Sequence, residues 1–454
     1  MLRDFHLIRN PREDILFFPA SYRLFKLPKE EGDAVIAWQE SGCAAPPPGR
    51  IGSLMAAAAE HAGAEASDAQ PWGEIDSLCL YVAHDCNLKC TYCYNQQGQV
   101  ANPGMMMSPQ VAEAAFRRFF TEPGRRYAVA MYGGEPLLNF QGIKAMVESG
   151  RRLEAERGIS IAFSITTNGT VFNRERIKFL NDQFSSISVS IDGSKEDHDR
   201  HRIAAQGSAY DRVLKQLPGV LEHCGNKVSV LGTLTGATAT RYTEVLDHLR
   251  SLCTSRVALS PVEGADDNPA VMDAVAYEAY SQQHAALCVA AIESGLEGTA
   301  PREAINVVTN MLTRRKLRRH CNAGCNPAIS ADGSLYACHG LVGVQGFAMG
   351  NVADADNPAY RQVHTAFANL DVDRIEQCSA CWVRYFCGGQ CYAHAYYRSG
   401  GTATPDQKYC HHVKRCITAS INSFVAAMGN PDLRQRLYAN AKRLIGAPKE
   451  TVHG

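Results

Sequence analysis

The stretch Cys86-Asn87-Leu88-Lys89-Cys90-Thr91-Tyr92-Cys93 decides the fold, because it places three cysteines in one short loop directly after the apolar run Leu78–Val82. A strand that ends in such a loop gathers three thiolates at one point. Structural zinc sites prefer four ligands, usually as two close pairs. Three thiolates instead leave one iron of a four-iron cluster open to a small chelating cofactor. The spacing therefore favours an iron-sulfur cluster over the alternative, a structural zinc loop.

Five further apolar runs follow, and the segments between them are long enough for helices. The runs are Ala128–Tyr132, Ile161–Thr166, Ile187–Ile191, Val228–Leu234 and Val257–Pro261. Such alternation predicts an α/β fold with a parallel sheet, and six βα units suggest an open, partial (β/α)6 barrel. Ser108 and Pro109 supply an N-cap and a first-turn proline for a helix over Val111–Phe119. Active sites of such barrels lie at the carboxyl ends of the strands.

The C-x3-C-x2-C spacing, with short motifs after the later strands, resembles the radical S-adenosylmethionine (SAM) superfamily. The resemblance implies that Cys86, Cys90 and Cys93 hold a 4Fe-4S cluster, which cleaves SAM to methionine and a 5′-deoxyadenosyl radical. It implies a set of SAM-side residues: Tyr92, Gly133, Gly134, Glu135, Pro136, Asn168, Ser190, Asp192 and Arg202.

Within that set, the glycine-glycine-glutamate-proline segment is implied to hold the methionine amino group through its backbone and carboxylate. Ser190 and Arg202 are placed near the ribose and the carboxylate of SAM. Glycine suits a backbone that must approach a cofactor closely, although an ordinary Gly-Gly turn is the alternative interpretation of Gly133 and Gly134.

The C-terminal cysteines, with Gly333, resemble the SPASM extension of radical SAM enzymes, which binds two further 4Fe-4S clusters. The implied ligands of the first auxiliary cluster are Cys321, Cys325, Cys338 and Cys391. Those of the second are Cys378, Cys381, Cys387 and Cys410, with Cys416 as an alternative to Cys410. If Cys325 points away, the first cluster has an open iron on which a substrate thiol would be deprotonated. Two zinc sites are the alternative to these clusters.

The implied total is three 4Fe-4S clusters, and six of the 17 cysteines are left over. We expect those six to be ordinary buried thiols: Cys43, Cys79, Cys224, Cys253, Cys288 and Cys416. Reducing compartments keep thiols free, so metal ligation is the leading explanation for so many cysteines in a cytosolic chain.

The N-terminal stretch predicts a small separate unit with strands near Phe5–Ile8, Ile15–Phe18 and Tyr22–Leu27 and a helix over Lys29–Gln39. It resembles the winged-helix-like peptide-recognition element of ribosomal-peptide maturases, which pairs a leader segment with a strand edge. The resemblance implies a peptide or small protein substrate with a leader segment. A hairpin that merely packs on the barrel is the alternative.

The segment Cys338-His339-Gly340-Leu341-Val342-Gly343 bears on the reaction. It resembles the cysteine-histidine-x-phenylalanine-valine-glycine stretch of enzymes that form sulfur-to-carbon thioether crosslinks, including maturases of the quinohemoprotein amine dehydrogenase small subunit. Sulfatase-maturing enzymes have an aspartate that acts as a general base where this chain has His339. The resemblance therefore implies hydrogen abstraction from a peptide, thioether formation and His339 as a candidate catalytic residue. It also implies a reducing partner such as flavodoxin or ferredoxin.

Other activities stay open at this point. The same radical supports a carbon-carbon crosslink or a peptide oxidation. A non-catalytic iron-sulfur or zinc scaffold that binds peptides is the alternative outside enzymes. Lysine plus arginine (46) equals aspartate plus glutamate (46), so charge gives no argument for a nucleic-acid or anionic-membrane partner. No apolar run approaches the about 18 residues that cross a bilayer, and we expect a cytoplasmic protein.

We expect six segments along the chain. They are a peptide-recognition-like module (1-63), a linker (64-74), the radical SAM partial barrel (75-265), a helical bridge (266-320), the SPASM domain (321-416) and a C-terminal helical tail (417-454).

Overall fold

The structure is a computed structural model, which describes residues 4–42, 47, 49–60, 73–95, 102–253, 255–262, 264, 268–354 and 357–446. The strands in these residues are β1 His6–Ile8, β2 Asp14–Phe18, β3 Arg23–Leu27, β4 Ser77–Ala83, β5 Leu88–Cys90, β6 Arg126–Gly133, β7 Ser160–Thr167, β8 Phe184–Ser190, β9 Arg202–Ala204, β10 Val228–Leu234, β11 Val257–Pro261, β12 Ala328–Ile329, β13 Ser334–Tyr336 and β14 Ala348–Asn351.

The helices are α1 Lys29–Glu40, α2 Gly49–Glu60, α3 Pro109–Phe119, α4 Phe140–Arg157, α5 Arg174–Gln183, α6 Lys195–His201, α7 Ala209–Cys224, α8 Gly236–Ala239, α9 Tyr242–Leu252, α10 Ala274–Glu293, α11 Arg302–Thr313, α12 Pro358–Ala368, α13 Glu376–Ser379, α14 Arg384–Cys387, α15 Tyr392–Ser399, α16 Gln407–Met428 and α17 Pro431–Gly446. None of the described helices is long and apolar enough to cross a bilayer.

The central sheet has nine strands in the order β11-β10-β8-β7-β6-β4-β12-β13-β14. Six neighbouring strands of this sheet pair in parallel, which confirms the predicted α/β fold: β4, β6, β7, β8, β10 and β11. Every residue of β4 is buried, because one face of the strand packs in the main core with the crossover helices and the other packs with β6 and the C-terminal region. The predicted cap of α3 is also present, since the Ser108 side chain accepts a hydrogen bond from the backbone N–H of Val111.

The parallel register brings four strand ends together at one edge of the sheet. Ala83 lies opposite Gly133, and Thr167 lies opposite Val189, one residue before the end of β8. The cysteine loop leaves β4 at this edge. Residues from four sequence-distant motifs therefore meet at the carboxyl ends of β4, β6, β7 and β8, where an active site of this fold is expected.

The C-terminal region continues the same sheet, which the sequence did not predict. Strand β12 pairs in parallel with β4, and β13 and β14 follow as antiparallel neighbours. These strands have only two to four residues, too few for an alternating apolar pattern. The sheet thus joins the predicted SPASM region to the barrel, and α16 runs through the predicted boundary at 416/417.

The N-terminal module is a three-stranded antiparallel sheet with α1 and α2. One face packs on its own helices, and the other packs on the C-terminal region. The Phe17 ring lies 5.7 Å from that of Phe386, and the Tyr22 hydroxyl donates to the Tyr385 carbonyl at 3.1 Å. The module is therefore docked on the C-terminal region. Cys43, the end of the predicted module at 63 and most of the linker lie outside the described residues.

Candidate active site

The cysteine loop is held by one side-chain hydrogen bond at its start and by a short backbone ladder. Its first residue, Cys86, donates its backbone N–H to Asp85 Oδ1 at 2.8 Å. Strand β5 then pairs antiparallel with β9, so that Cys90 lies opposite Arg202. The next residue, Thr91, donates its N–H to the His201 carbonyl at 2.9 Å. The loop geometry thus depends on a segment more than a hundred residues later in the chain.

The three thiols converge, and their electrostatics fit a metal cluster. Burial raises the pKa of Cys86 to about 12 and that of Cys90 to about 11. The charges of Cys90 and Cys93 raise the pKa of Cys86 further, and the charge of Cys93 raises that of Cys90. Cys86 Sγ accepts hydrogen bonds from the Leu88 N–H at 3.5 Å and from Asn168 Nδ2 at 3.8 Å. Grouped buried thiols of this kind become thiolates when a metal binds them, so the residues fit an iron-sulfur cluster.

Gly133 and Gly134 pack directly against the start of the cysteine loop. Gly133 has φ of +135°, a conformation that L side chains rarely adopt. A Cβ on Gly134 would lie 2.1 Å from the Asp85 carbonyl oxygen and 3.1 Å from Cys86 Cβ. The Gly134 N–H donates to the Ala83 carbonyl at 2.9 Å. Two glycines are therefore required by close backbone contact with the cysteine loop, beyond the needs of an ordinary turn.

The Glu135 carboxylate is fully buried and accepts hydrogen bonds from three protein donors. They are the Leu137 N–H at 3.0 Å, the Thr167 hydroxyl at 2.7 Å and the Asn168 N–H at 2.7 Å. Burial raises the pKa of Glu135, and these hydrogen bonds oppose that rise. The carboxylate thus joins the ends of β6 and β7, and Pro136 follows as the first residue of a short 3-10 turn. Contact between Glu135 and the methionine amino group stays a prediction.

Asp192 is the buried centre of a polar network beside the loop. Arg202 donates to it twice, from Nε at 2.9 Å and Nη2 at 3.0 Å. The Tyr92 hydroxyl and the Thr233 N–H, the latter at 2.9 Å, also donate to it. Burial alone would raise the pKa of Asp192, but the Arg202 charge and its hydrogen bonds hold that pKa below the ordinary value. The predicted residues Tyr92, Asp192 and Arg202 are therefore brought together, and Ser190 is half-buried at the end of β8.

The sequence interpretation missed several residues that shape this site. Asn87 accepts from Asn168 Nδ2 at 2.9 Å and donates to the Thr170 hydroxyl at 2.8 Å. The Thr91 hydroxyl and His201 Nδ1 are 2.8 Å apart. Asn87 lies between Cys86 and Cys90, and this position inside the cysteine motif is the signal that indicates its place in the site. Nothing in the sequence pattern pointed to His201.

The second predicted auxiliary set is brought together by α13, α14 and the first turn of α16. Burial raises the pKa of Cys378 and Cys387 to about 12 and that of Cys410 to about 11. The thiol charges of these residues and of Cys381 act on one another. Four converging thiols fit a complete 4Fe-4S cluster, and the same donor set also suits zinc.

The alternative ligand Cys416 lies elsewhere. Its thiol is hydrogen-bonded to Cys288 and lies 3.9 Å from the ring nitrogens of His412. Cys410, by contrast, faces Cys381. The placement favours Cys410 as the fourth member of the second set.

The four cysteines of the first auxiliary set differ in burial. Cys321, Cys338 and Cys391 are half-buried against the main core. Cys325 is fully buried next to the start of β4, where it accepts a hydrogen bond from the Gly73 N–H and lies close to Asp76. Burial raises the pKa of Cys325. Whether Cys325 completes the first cluster stays a prediction.

His339 lies among aromatic side chains that lead back to the cysteine loop. Its ring is 5.3 Å from that of Tyr132 and 6.5 Å from that of Tyr94, which follows Cys93 in the chain. Its carbonyl accepts from the Tyr81 hydroxyl at 2.8 Å. The pairing of β12 with β4 therefore carries His339 to the neighbourhood of the SAM-side residues.

The sequence of the chain is similar to those of known proteins. The family model of the radical SAM superfamily matches residues 80–248. A cysteine-type anaerobic sulfatase-maturating enzyme of Clostridium perfringens is 24% identical over 324 residues, which are 67% of this chain and 85% of that enzyme. The corresponding enzyme of Clostridium novyi is 32% identical over 136 residues. That match covers 29% of this chain and only 36% of the Clostridium novyi protein.

Solved structures share the fold. Native anSMEcpe with bound AdoMet and Kp18Cys peptide has a TM-score of 0.66 at 19% identity, over 80% of this chain and all of that one. The match to the radical SAM model includes the cysteine loop, the two glycines and the Asp192–Arg202 pair, whose geometry is described above. Residues 80–248 are therefore a radical SAM domain, and the chain is homologous to anaerobic sulfatase-maturating enzymes.

Proposed function

We propose that the chain is a radical SAM maturase that modifies a peptide or protein substrate. The observation that carries the proposal is the convergence of the Cys86, Cys90 and Cys93 thiols at the carboxyl edge of a parallel sheet. When bound, the clusters would supply the electron that splits SAM and accept the electron that leaves the substrate. The remaining roles belong to residues of the chain.

The SAM-side residues are held in place by contacts within the protein. Gly134 keeps the backbone close to the cysteine loop, so that backbone groups rather than a side chain face the cofactor. Asp192 holds Tyr92 and Arg202 in one orientation through a buried, bidentate pair. Asn168 donates to Cys86 Sγ, a contact of the kind that adjusts the reduction potential of a cluster.

We favour a sulfur-to-carbon thioether as the bond that forms. A hydrogen atom would leave a substrate carbon for the 5′-deoxyadenosyl radical, and a substrate thiol would lose its proton. As the sulfur-carbon bond closes, one electron would pass to an auxiliary cluster, so the product lacks two hydrogen atoms and keeps its sulfur. If Cys325 does not bind the first auxiliary cluster, the open iron of that cluster would bind and deprotonate the substrate thiol.

A second candidate is formylglycine formation, and the homology to sulfatase-maturating enzymes favours it. His339 stands where those enzymes are expected to have an aspartate base, which argues for the thioether. The two products differ chemically. Formylglycine made from cysteine has lost its sulfur and carries an aldehyde, whereas a thioether retains sulfur and carries no aldehyde.

The experiment offers the anaerobically reconstituted chain two peptides, each with SAM and dithionite. One is a cysteine peptide from a sulfatase, and the other is a leader-bearing, cysteine-containing peptide from any short reading frame found beside the gene. We expect the second peptide to lose two hydrogen atoms and to become resistant to thiol alkylation. It should not react with a carbonyl-reactive hydrazide. A hydrazide-reactive product from the sulfatase peptide would establish formylglycine formation instead. A chain that releases no 5′-deoxyadenosine would be the non-catalytic scaffold.

We also propose that the N-terminal module binds the substrate leader at the open edge of β3. Among the described residues β3 pairs only with β2, so its other edge offers unpaired backbone groups. An extended peptide can add to such an edge by main-chain hydrogen bonds. The leader would then be held on the module while chemistry proceeds at the cysteine loop.

Proline at Leu24 and at Phe25, introduced in turn, tests this site. Amide groups alternate along a strand, so one of the two faces β2 and the other faces the open edge. We expect the edge-facing proline to leave 5′-deoxyadenosine release intact and to abolish leader binding. Hydrogen exchange of the unmodified chain gives a second readout, because β3 amides should be protected when the leader peptide is added. Unchanged binding in both variants, or no added protection, would show that the module is structural only.

A further inference from the structure

Two helices, one in the predicted bridge and one that begins in the predicted SPASM domain, carry the same short pattern, a histidine followed four residues later by a cysteine. On α10 these are His284 and Cys288, and on α16 they are His412 and Cys416. Residues four apart lie on one face of a helix. The two patterned faces meet where α10 packs on α16, and Glu303 of α11 joins them.

The side chains of this cluster form two overlapping groups, each compact enough to hold a metal ion. His284, Cys288 and Cys416 form one group, and His284, Glu303 and His412 form another, each with ligand atoms within 4.8 Å of one another. His284 belongs to both groups, so the five side chains surround one region. The cluster is separate from the cysteine sets described above.

The surroundings resemble those of a built metal site. Cys288 and Cys416 are completely buried, and His412 is 3% exposed. Apolar side chains would pack such a helix interface at lower cost, since buried polar and ionisable groups must be compensated. The Tyr242 hydroxyl contacts His284 Nδ1 at 3.0 Å, and His284 Nε2 faces the cluster, where it lies 3.0 Å from Glu303 Oε2. Metal-bound histidines usually have their second nitrogen fixed in this way.

We propose that His284, Cys288, His412 and Cys416 bind a structural zinc ion, with Glu303 beside His284. Two imidazoles and two thiolates are a donor set that zinc takes in tetrahedral structural sites. The two thiolates would neutralise the charge of the ion. The ion would fasten α10 to α16, the helix whose first turn carries Cys410.

The test measures zinc in the anaerobically purified holoprotein after incubation with Zn²⁺ and removal of the excess. Elemental analysis should find about one zinc per chain in addition to iron. X-ray absorption at the zinc edge should show two sulfur neighbours at about 2.3 Å and two nitrogen neighbours at about 2.0–2.1 Å. This spectrum is specific for zinc, so it is unaffected by the iron-sulfur clusters.

Variants assign the site. Cys288→Ser and His412→Ala should each lose the zinc, whereas Cys224→Ser and Cys253→Ser, at other buried thiols, should retain it. Zinc with sulfur neighbours only would place the ion in a cysteine set and overturn the proposal. Absence of zinc, or a disulfide between Cys288 and Cys416 in the purified chain, would also overturn it. The spectrum of the unmodified chain decides the matter even where a variant fails to fold.

Discussion

Asp192 shows how one residue organises the site. Its carboxylate accepts two hydrogen bonds from Arg202 and one each from Tyr92 and Thr233, and it is 2% exposed. A buried ion pair costs more to break than to keep, because the abandoned partner remains a buried, uncompensated charge. The orientation of the cysteine loop is tied to this pair, since Arg202 pairs with Cys90 through its backbone.

The variant Asp192→Asn should therefore destabilise the chain strongly while it preserves side-chain size. We expect a loss of about 3–5 kcal/mol, the cost of breaking a buried pair. The measurement is the anaerobic denaturation midpoint, with Asp182→Asn as the control. Asp182 pairs with Lys178 at an exposed position, where such pairs contribute little. Equal midpoints in the two variants would mean that the Asp192 network is dispensable.

The close contact at Gly134 gives a prediction about activity. In Gly134→Ala the new methyl group would meet the Asp85 carbonyl, so the cysteine loop must move. We expect 5′-deoxyadenosine release to fall by at least about tenfold, which corresponds to only about 1.4 kcal/mol in the barrier. Gly219→Ala is the matched control, because a Cβ there meets open space on helix α7. Wild-type release by Gly134→Ala would show that the glycine is merely a turn residue.

At the scale of elements, the N-terminal module is fastened by its second strand. Phe17 is fully buried against Phe386 and Trp382, whereas Phe25 is half-buried on the outer strand. Truncation of a buried phenylalanine leaves a cavity and costs about 3–5 kcal/mol. Phe17→Ala should thus lower the anaerobic denaturation midpoint far more than Phe25→Ala. Similar midpoints would indicate that the module is only loosely attached, and its docking would then need another explanation.

The long strands and capped helices could be predicted from the sequence, and the short strands could not. The seven residues of β10 and the five of β11 were predicted with their observed ends, because each is a full apolar run. The pair β5 and β9 has three residues in each strand, and its partners are set by tertiary contact. For the same reason the extension of the barrel sheet by β12 could not be predicted.

The active-site residues likewise fall into those that the sequence predicts and those whose contacts only packing determines. Spacing identified the three loop cysteines as one site, the family resemblance implied that Asp192 and Arg202 belong to it, and the structure brings these residues together. Spacing cannot show which protein groups a side chain will meet. The engagement of the Glu135 carboxylate with Thr167 and Asn168, and the meeting of α10 with α16 at His284, arise only when distant segments pack.

For the whole molecule, the thiol sets determine the expected metal content. Three clusters of four irons predict about twelve irons per chain after anaerobic reconstitution. Cys378→Ser should lower this to about eight, because a quartet that loses one ligand no longer holds its cluster firmly. The control Cys253→Ser alters a buried thiol outside the predicted sets and should keep the full count. About four irons accompanied by zinc with only sulfur neighbours would favour zinc in the C-terminal cysteine sets.

The central claim is that the loop thiols hold the cluster at which SAM is cleaved. The most direct measurement is 5′-deoxyadenosine release from SAM and dithionite by the reconstituted chain and by Cys86→Ala, Cys90→Ala and Cys93→Ala. We expect release by the unmodified chain and by the control Cys224→Ala, and none by the three loop variants, whose circular dichroism should remain that of a folded protein. Release near the unmodified level in any folded loop variant would contradict the account.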